Sequence, residues 1–239
     1  MMLNILIADD KSNLVELIFK QIIRKKNKFR LADYTDNGRE ALDSILKYHP
    51  DVIILNLEKS EINSKIITNY LSVIKDEYFP YIIIISNISE YTNKMKNEKI
   101  YFINIDQEVT KILNKINIYL EQIYKEINNE LIHKEIKNEL KKFKLNVSNK
   151  GTDYLVDSIL LSYNKENLNL TKDIYPVLSK KYDVTPMNIK WNMEKNIKSM
   201  KRYTSKDVIE KYFHVDSRSN LTIKTVIRTI TENIEKNCL

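Results

Sequence analysis

The chain has 239 residues, 43% hydrophobic and 30% charged, with a formal net charge of +7. That length exceeds one domain of the commonest size and points to two, and no apolar run approaches the ~20 residues that a membrane-spanning helix needs. The single cysteine, Cys238, excludes a disulfide framework or a cysteine-rich metal site within one chain, and the start Met1-Met2-Leu3-Asn4 shows no basic region or cleavage site, so a cytoplasmic protein is expected.

The first half alternates short apolar runs with amphipathic stretches. Strands are predicted over 3–8, 29–34, 51–55, 81–86 and 100–104, and helices over about 13–26, 38–47, 63–76, 91–97 and 108–124, the second opening after the turn-like Asp36-Asn37-Gly38. The runs Val52-Ile53-Ile54-Leu55 and Ile82-Ile83-Ile84-Ile85 have no polar face. Strands of that kind are covered on both sides, which implies a five-stranded parallel sheet inside an α/β sandwich. Ligands gather at the carboxyl ends of such strands.

Residues 107–145 contain neither Pro nor Gly and carry Ile112, Ile116, Tyr119, Leu120, Ile123, Ile127 and Leu131 at three- and four-residue steps. One extended amphipathic helix is expected, either the last helix of the first domain running into a connector or a helical dimer seam. Residues 146–152, with Ser148 and Gly151, read as a hinge. The remainder lacks strand-like alternation, and short helices are predicted over 154–163, 170–175, 176–182, 186–200, 205–213 and 222–234. The expected organisation is an α/β domain over 1–126, a helical linker over 127–150 and an all-α domain over 151–239.

Charge divides along the same line. Residues 1–127 hold 18 Lys and Arg against 18 Asp and Glu, whereas residues 128–239 hold 21 against 14. The basic excess therefore lies in the second half, where it suits a polyanion such as double-stranded DNA, although a solvated Lys-rich surface gives the same balance.

Asp9-Asp10 follow the first predicted strand and Asn56 follows the third, so the strand ends bring them toward one point. This arrangement resembles the receiver domain of response regulators, a flavodoxin-like fold. The resemblance implies carboxylates that hold magnesium and a phosphoacceptor aspartate after the third strand. That position is Asn56, whose neutral amide is a poor nucleophile and removes an anionic metal ligand, so phosphorylation there is not expected. The family's lysine at the end of the fifth strand falls on Ile105, and the proline after it on Asp106. Ser86 and Phe102 stand at the switch hydroxyl and aromatic positions, as a surviving switch or as a strand-end hydroxyl and a packed ring. Asp9 and Asp10 are left to accept hydrogen bonds from loop amides or to hold a cation such as magnesium weakly. No cofactor is implied.

In the second half, residues 175–189 read as helix, turn, helix, with Pro176 and Pro186 at first helical positions and Thr185 as an N-cap. A second helix in this motif enters the major groove of DNA, and the same pattern occurs in helical hairpins that bind nothing. Lys150-Gly151 before Tyr154-Leu155, then Leu170-Thr171-Lys172, Tyr175-Pro176, Lys180-Lys181-Tyr182 and Thr185 make this half similar to the effector domain of the stage-zero sporulation factor A family, the sporulation-initiation response regulators of endospore-forming bacteria. With the receiver in front, the resemblance covers nearly the whole chain and implies a two-component transcriptional regulator.

Helical geometry places Ile189, Met193, Ile197 and Met200 on one face, with Met187, Asn188, Trp191, Glu194, Lys195 and Lys198 on or near the other. Where the family reads its DNA box with arginines and a glutamate, this sequence has Asn188, Lys190, Trp191 and Glu194. The family's box is therefore not the expected target. Lys190, Lys195, Lys198, Lys201, Arg202 and Lys206 oppose a single acid, Glu194, over residues 187–206, so phosphates would still be attracted. Trp191 is open to three roles, as a contact to thymine methyls, an anchor for a protein partner, or a side chain folded back onto its own domain.

Two functional expectations follow. One is a DNA-binding regulator that works without aspartyl phosphorylation and has a changed sequence preference. The other is an antagonist that does not bind DNA and instead pairs with a true response regulator or its phosphodonor. A homodimer or a heterodimer with a related regulator fits either. Catalysis is not expected, because His49, His133 and His214 are scattered and no phosphate loop or metal-spacing motif occurs.

Overall fold

The computed structural model describes residues 1–9, 12–56, 79–87, 98–145, 149–165, 167–215 and 221–238. The chain divides into two units, Met1–Glu126 and Ile127–Leu239.

The first unit is built on five parallel strands, β1 (Leu3–Ala8), β2 (Phe29–Thr35), β3 (Val52–Asn56), β4 (Tyr81–Ser86) and β5 (Ile100–Asn104), in the order β2-β1-β3-β4-β5. That is the flavodoxin-like order of receiver domains, with its switch point between β1 and β3. On one face Leu6, Ala8, Ile53, Leu55, Ile82 and Ile84 pack with Ala41 and Ile45 of helix α2 (Gly38–Tyr48). The alternate residues Ile5, Ile7, Ile54 and Ile83 are also fully buried, so the sheet is covered on both sides, as its unbroken apolar runs require. Helix α1 (Ser12–Arg24) buries Leu14, Val15, Ile18 and Ile22 at helical spacing. Asn37 caps α2 by accepting from the Glu40 amide at 2.9 Å. The helices expected over 63–76 and 91–97 lie outside the described residues.

Two strand limits differ from the sequence expectation in a way that bears on the site. Asn56 does not follow β3 but ends it, pairing with Ile85. Asp51 stands just before β3, where its carboxylate accepts from the Asn4 amide at 2.8 Å.

Helix α3 runs unbroken over Val109–Lys141. Its buried residues Ile112, Ile116, Leu120 and Ile123 lie in the first unit, whereas Ile132, Ile136 and Leu140, with Phe143 and Leu145 after the helix, enter the core of the second. The expected linker over 127–150 is therefore corrected, because most of it packs into the second unit. The apolar stripe slips by one residue near Leu131, which is exposed, and that slip moves burial onto a new face.

The second unit is all helical: α4 (Lys150–Asn164), a single π-helical turn (Leu170–Ile174), α5 (Tyr175–Tyr182), α6 (Pro186–Tyr203), α7 (Lys206–Phe213) and α8 (Ile223–Cys238). The hinge expected over 146–152 is also corrected for its described part. Asn149 caps α4 by accepting from the Gly151 amide at 2.9 Å, and Gly151 and Thr152 are buried helical residues. Gly151 is where α4 meets α6: a Cβ there would lie 2.5 Å from the Asn192 carbonyl oxygen and 2.9 Å from Asn196 Nδ2. Close helix contact, not chain flexibility, accounts for this glycine.

Candidate functional site

At the carboxyl end of the sheet, Asp9 lies just past β1 and Asn56 at the end of β3, both buried. Their side chains meet, with Asn56 Nδ2 donating to Asp9 Oδ1 at 3.0 Å. The Asp9 amide donates to the Thr35 carbonyl at 3.1 Å, which fixes the loop after β1 against β2. An aspartate at position 56 would set two carboxylates against each other here and call for a cation between them. The amide removes that repulsion and supplies a donor to one carboxylate oxygen. Asp10 lies outside the described residues. Among the described residues no group of three or more His, Cys, Asp or Glu is arranged to hold a metal ion.

Ser86 ends β4, and its buried hydroxyl has no hydrogen-bond partner among the described residues. Ile105 follows β5 and is buried, with its amide donating to the Ser86 carbonyl at 3.2 Å. An apolar side chain thus packs at the position that the resemblance assigns to the receiver lysine. Phe102, on β5, is half-buried against the sheet cluster that includes Ile82 and Ile84. Ser86, Ile105, Asp9 and Asn56 are brought together by three neighbouring strands, β1, β3 and β4, and by the turn after β5.

The second candidate site is built on α5 and α6. Asp183 closes α5 in the left-handed conformation, with φ of 52°, and the Val184 amide returns to the Ser179 carbonyl at 3.2 Å. Thr185 then caps α6, its Oγ1 accepting from the Asn188 amide at 3.2 Å, with Pro186 at the first helical position. Both helix limits follow from the sequence chemistry, since proline needs no amide partner there and threonine satisfies an orphan donor.

Ile189, Met193, Asn196, Ile197 and Met200 form the buried face of α6. Each of the apolar four contributes roughly 1.5–3 kcal/mol by burial, and Asn196 Nδ2 donates to Thr152 Oγ1 of α4 at 2.9 Å. Helix α5 is tied to α4 through Asp157, which accepts from Lys181 Nζ and from the Tyr182 hydroxyl, each at 2.6 Å. Burial, and then the Asp157 carboxylate it donates to, push the Tyr182 phenol well above its ordinary range. The scaffold beneath α6 is thus held by packing and by buried polar contacts, which keep the opposite face in a fixed orientation.

That opposite face is solvent-facing. Met187 is 71% and Trp191 59% exposed, which removes the fold-back role for Trp191. Lys195 Nζ lies 5.4 Å from the Trp191 ring centroid, and Lys190 Nζ stands 3.9 Å from Glu194 Oε1. Asn192 Nδ2 donates to Asn188 Oδ1 at 2.6 Å and to the Asn188 carbonyl at 2.9 Å. Lys198 and Arg202 are exposed farther along, with Arg202 over the Tyr203 ring at 5.4 Å, and Lys201 is half-buried. Thr185, Met187, Asn188, Lys190, Trp191 and Glu194 surround one shallow depression.

Residues 136–234 match the protein family described as "Sporulation initiation factor Spo0A C terminal". This stretch of the second unit is similar to that family. The match begins inside α3, which agrees with the burial of Ile136 and Leu140 in that unit's core. It follows a five-stranded parallel sheet of flavodoxin-like order, which is the domain order that the sequence resemblance implies.

Solved structures similar to this chain include the response regulator domain of Thermotoga maritima CheB, at 16% identity and a TM-score of 0.42 over 52% of this chain and 98% of that one. A two-component transcriptional regulator AraC from Clostridium phytofermentans is 20% identical, with a TM-score of 0.41 over 52% and 96% of the two chains. A DNA-binding response regulator of the LuxR family from Staphylococcus aureus is 21% identical, with a TM-score of 0.34 over 50% and 99%. No helix among the described residues is long and apolar enough to cross a membrane.

Proposed function

We propose that this chain is a DNA-binding transcriptional regulator that works without aspartyl phosphorylation and reads a sequence different from the box of the sporulation factor family. The observation that carries the DNA reading is the outward face of α6, where Met187, Asn188, Trp191, Lys195 and Lys198 stand exposed opposite a fully packed face. A helix held this way in a helix-turn-helix presents its first turns to base edges and its cations to phosphates. Independence from phosphorylation is supported by Asn56, whose amide donates to Asp9 where a nucleophilic carboxylate is needed, and by Ile105 in place of the family's lysine. The regulator then answers to its amount or to a partner, including a second copy or a related response regulator, rather than to a phosphodonor.

Genome-wide mapping of bound DNA tests the reading, repeated with Trp191→Ala and with Lys195→Ala combined with Lys198→Ala. Discrete sites lost in the variants are expected, and the absence of enriched sites would sink it. Incubation with a small-molecule phosphodonor should leave the chain unmodified. A stable acyl phosphate on Asp9 or Asp10 overturns the account of the first unit. The antagonist reading keeps one observation on its side, the two large apolar side chains Met187 and Trp191 left in solvent, and it predicts capture of a response regulator with no DNA enrichment.

A further inference from the structure

We infer that the outward face of α6 selects A·T over G·C base pairs in the major groove, with Met187 and Trp191 against thymine methyl groups and Asn188 on adenine; this rests on the DNA-binding reading above. The three residues stand at i, i+1 and i+4 in the first two turns, the part of such a helix that reaches base edges, and all are exposed. The chemistry they present is one-sided. Guanine is read best by paired donors from arginine, and no arginine occurs on α6 before Arg202 in its last turn.

Two lysines near these turns contact neighbouring side chains of the same helix. Lys190 stands 3.9 Å from Glu194, an i,i+4 pair in which each partner offsets the other's charge. Lys195 lies over the Trp191 ring at 5.4 Å. Beside the Lys190–Glu194 pair, this part of the face presents a thioether, an indole and a carboxamide. Thymine is the base that offers a methyl group to apolar side chains, and adenine the one whose N6 and N7 match a carboxamide.

Asn188 is also prepared for that match. Asn192 donates to its Oδ1 at 2.6 Å, which fixes the amide plane. The second lone pair of Oδ1 stays available to adenine N6, and one Nδ2 proton to N7. Met187, Trp191 and Asn188 border a depression of about 390 Å³ with Thr185, Lys190 and Glu194, concave enough to take methyl groups projecting from a base step.

The experiment uses the full chain. A randomised duplex library is selected for binding, and the best duplex is titrated beside a copy in which every thymine is replaced by deoxyuridine, which removes the methyl and keeps every hydrogen-bonding group. A·T-rich selected sites are expected, with affinity falling about fourfold per contacted methyl, the equivalent of one buried methylene. Met187→Ala combined with Trp191→Ala should retain salt-sensitive binding but lose the discrimination between thymine and uracil. G·C-rich selected sites, indifference to the methyl, or discrimination that persists in the double variant each overturn the inference while leaving DNA binding intact. Retention of no duplex even at low salt overturns the DNA reading itself and takes this inference with it.

Discussion

Asn56 Nδ2 donates to Asp9 Oδ1 across 3.0 Å in a buried pocket at the end of the sheet. A carboxylate that a receiver would offer to magnesium is here engaged by a neutral amide of the same chain, from a strand 47 residues away. The amide closes this side of the carboxylate with one hydrogen bond and leaves its negative charge in place.

That closure can be undone by one atom. Asn56→Asp should destabilise the first unit by about 1–3 kcal/mol at neutral pH, because a donor is replaced by a second negative charge. Magnesium should restore much of the loss in the variant and leave the unsubstituted protein unchanged. Lowering the pH through the carboxylate range should do the same, since one shared proton rebuilds the hydrogen bond. Thermal unfolding with and without magnesium, at two pH values, checks all of this. A variant as stable as the parent in chelator contradicts it.

Gly151→Ala makes a sharper test of packing. At an unconstrained helical position alanine is favoured over glycine by up to about 1 kcal/mol. Here the added carbon would lie 2.5 Å from the Asn192 carbonyl oxygen, and that oxygen belongs to the backbone of α6 and cannot swing away. The sign should reverse to a loss of about 1–3 kcal/mol, read as a lower denaturant midpoint for the second unit.

The same glycine shows what the sequence could and could not disclose. The unbroken run Val52-Ile53-Ile54-Leu55 announces a strand buried on both faces, and Thr185-Pro186 announces the start of α6, because both signals are local chemistry. Gly151 beside Ser148 has the composition of a hinge, and its reason lies in Asn192, on another helix. Likewise the stretch 127–150 reads as a connector while its stripe is followed only to Leu131; the step to Ile132, Ile136 and Leu140 has meaning once a second core is present to receive it. Asn56 and Ile105 are legible as departures from the receiver pattern, but the bond from Asn56 to Asp9 is not, since adjacency of strands does not fix side-chain direction. The exposure of Trp191 has the same limit: helical phase places it opposite the core, and only the packed fold shows that none of the described segments covers it.

Tyr182 links alkaline stability to the scaffold of α6. Its phenol is raised above the ordinary value by burial and by donation to Asp157. A phenol whose pKa is higher in the folded state gives stability that is complete below the unfolded value of about 10 and disappears as pH rises through the folded one. The second unit should therefore lose stability above about pH 10, and Tyr182→Phe should remove that share of the pH dependence while costing about 1 kcal/mol at neutral pH. Denaturant titrations at pH 7 and in the alkaline range measure both effects. An unchanged alkaline slope in the variant would show that the dependence arises elsewhere.

Lys195 and Lys198 separate phosphate attraction from base reading. They lie beyond Trp191 on the same outward face, where a helix entering the groove by its first turns brings later turns toward the backbone. Each phosphate neutralised releases counterions and contributes a slope of about −0.9 to the dependence of log affinity on log salt for double-stranded DNA. Lys195→Ala combined with Lys198→Ala should therefore make that slope shallower by about 2 and weaken binding almost equally on all sequences. The order of preference among selected duplexes should be untouched, because Met187, Asn188 and Trp191 remain. Lys111→Ala, an exposed lysine of the first unit, serves as the control that leaves the slope alone. Should the double variant change sequence preference while keeping the parental slope, the two lysines face bases rather than phosphates, and the placement of α6 in the groove must be turned about its axis.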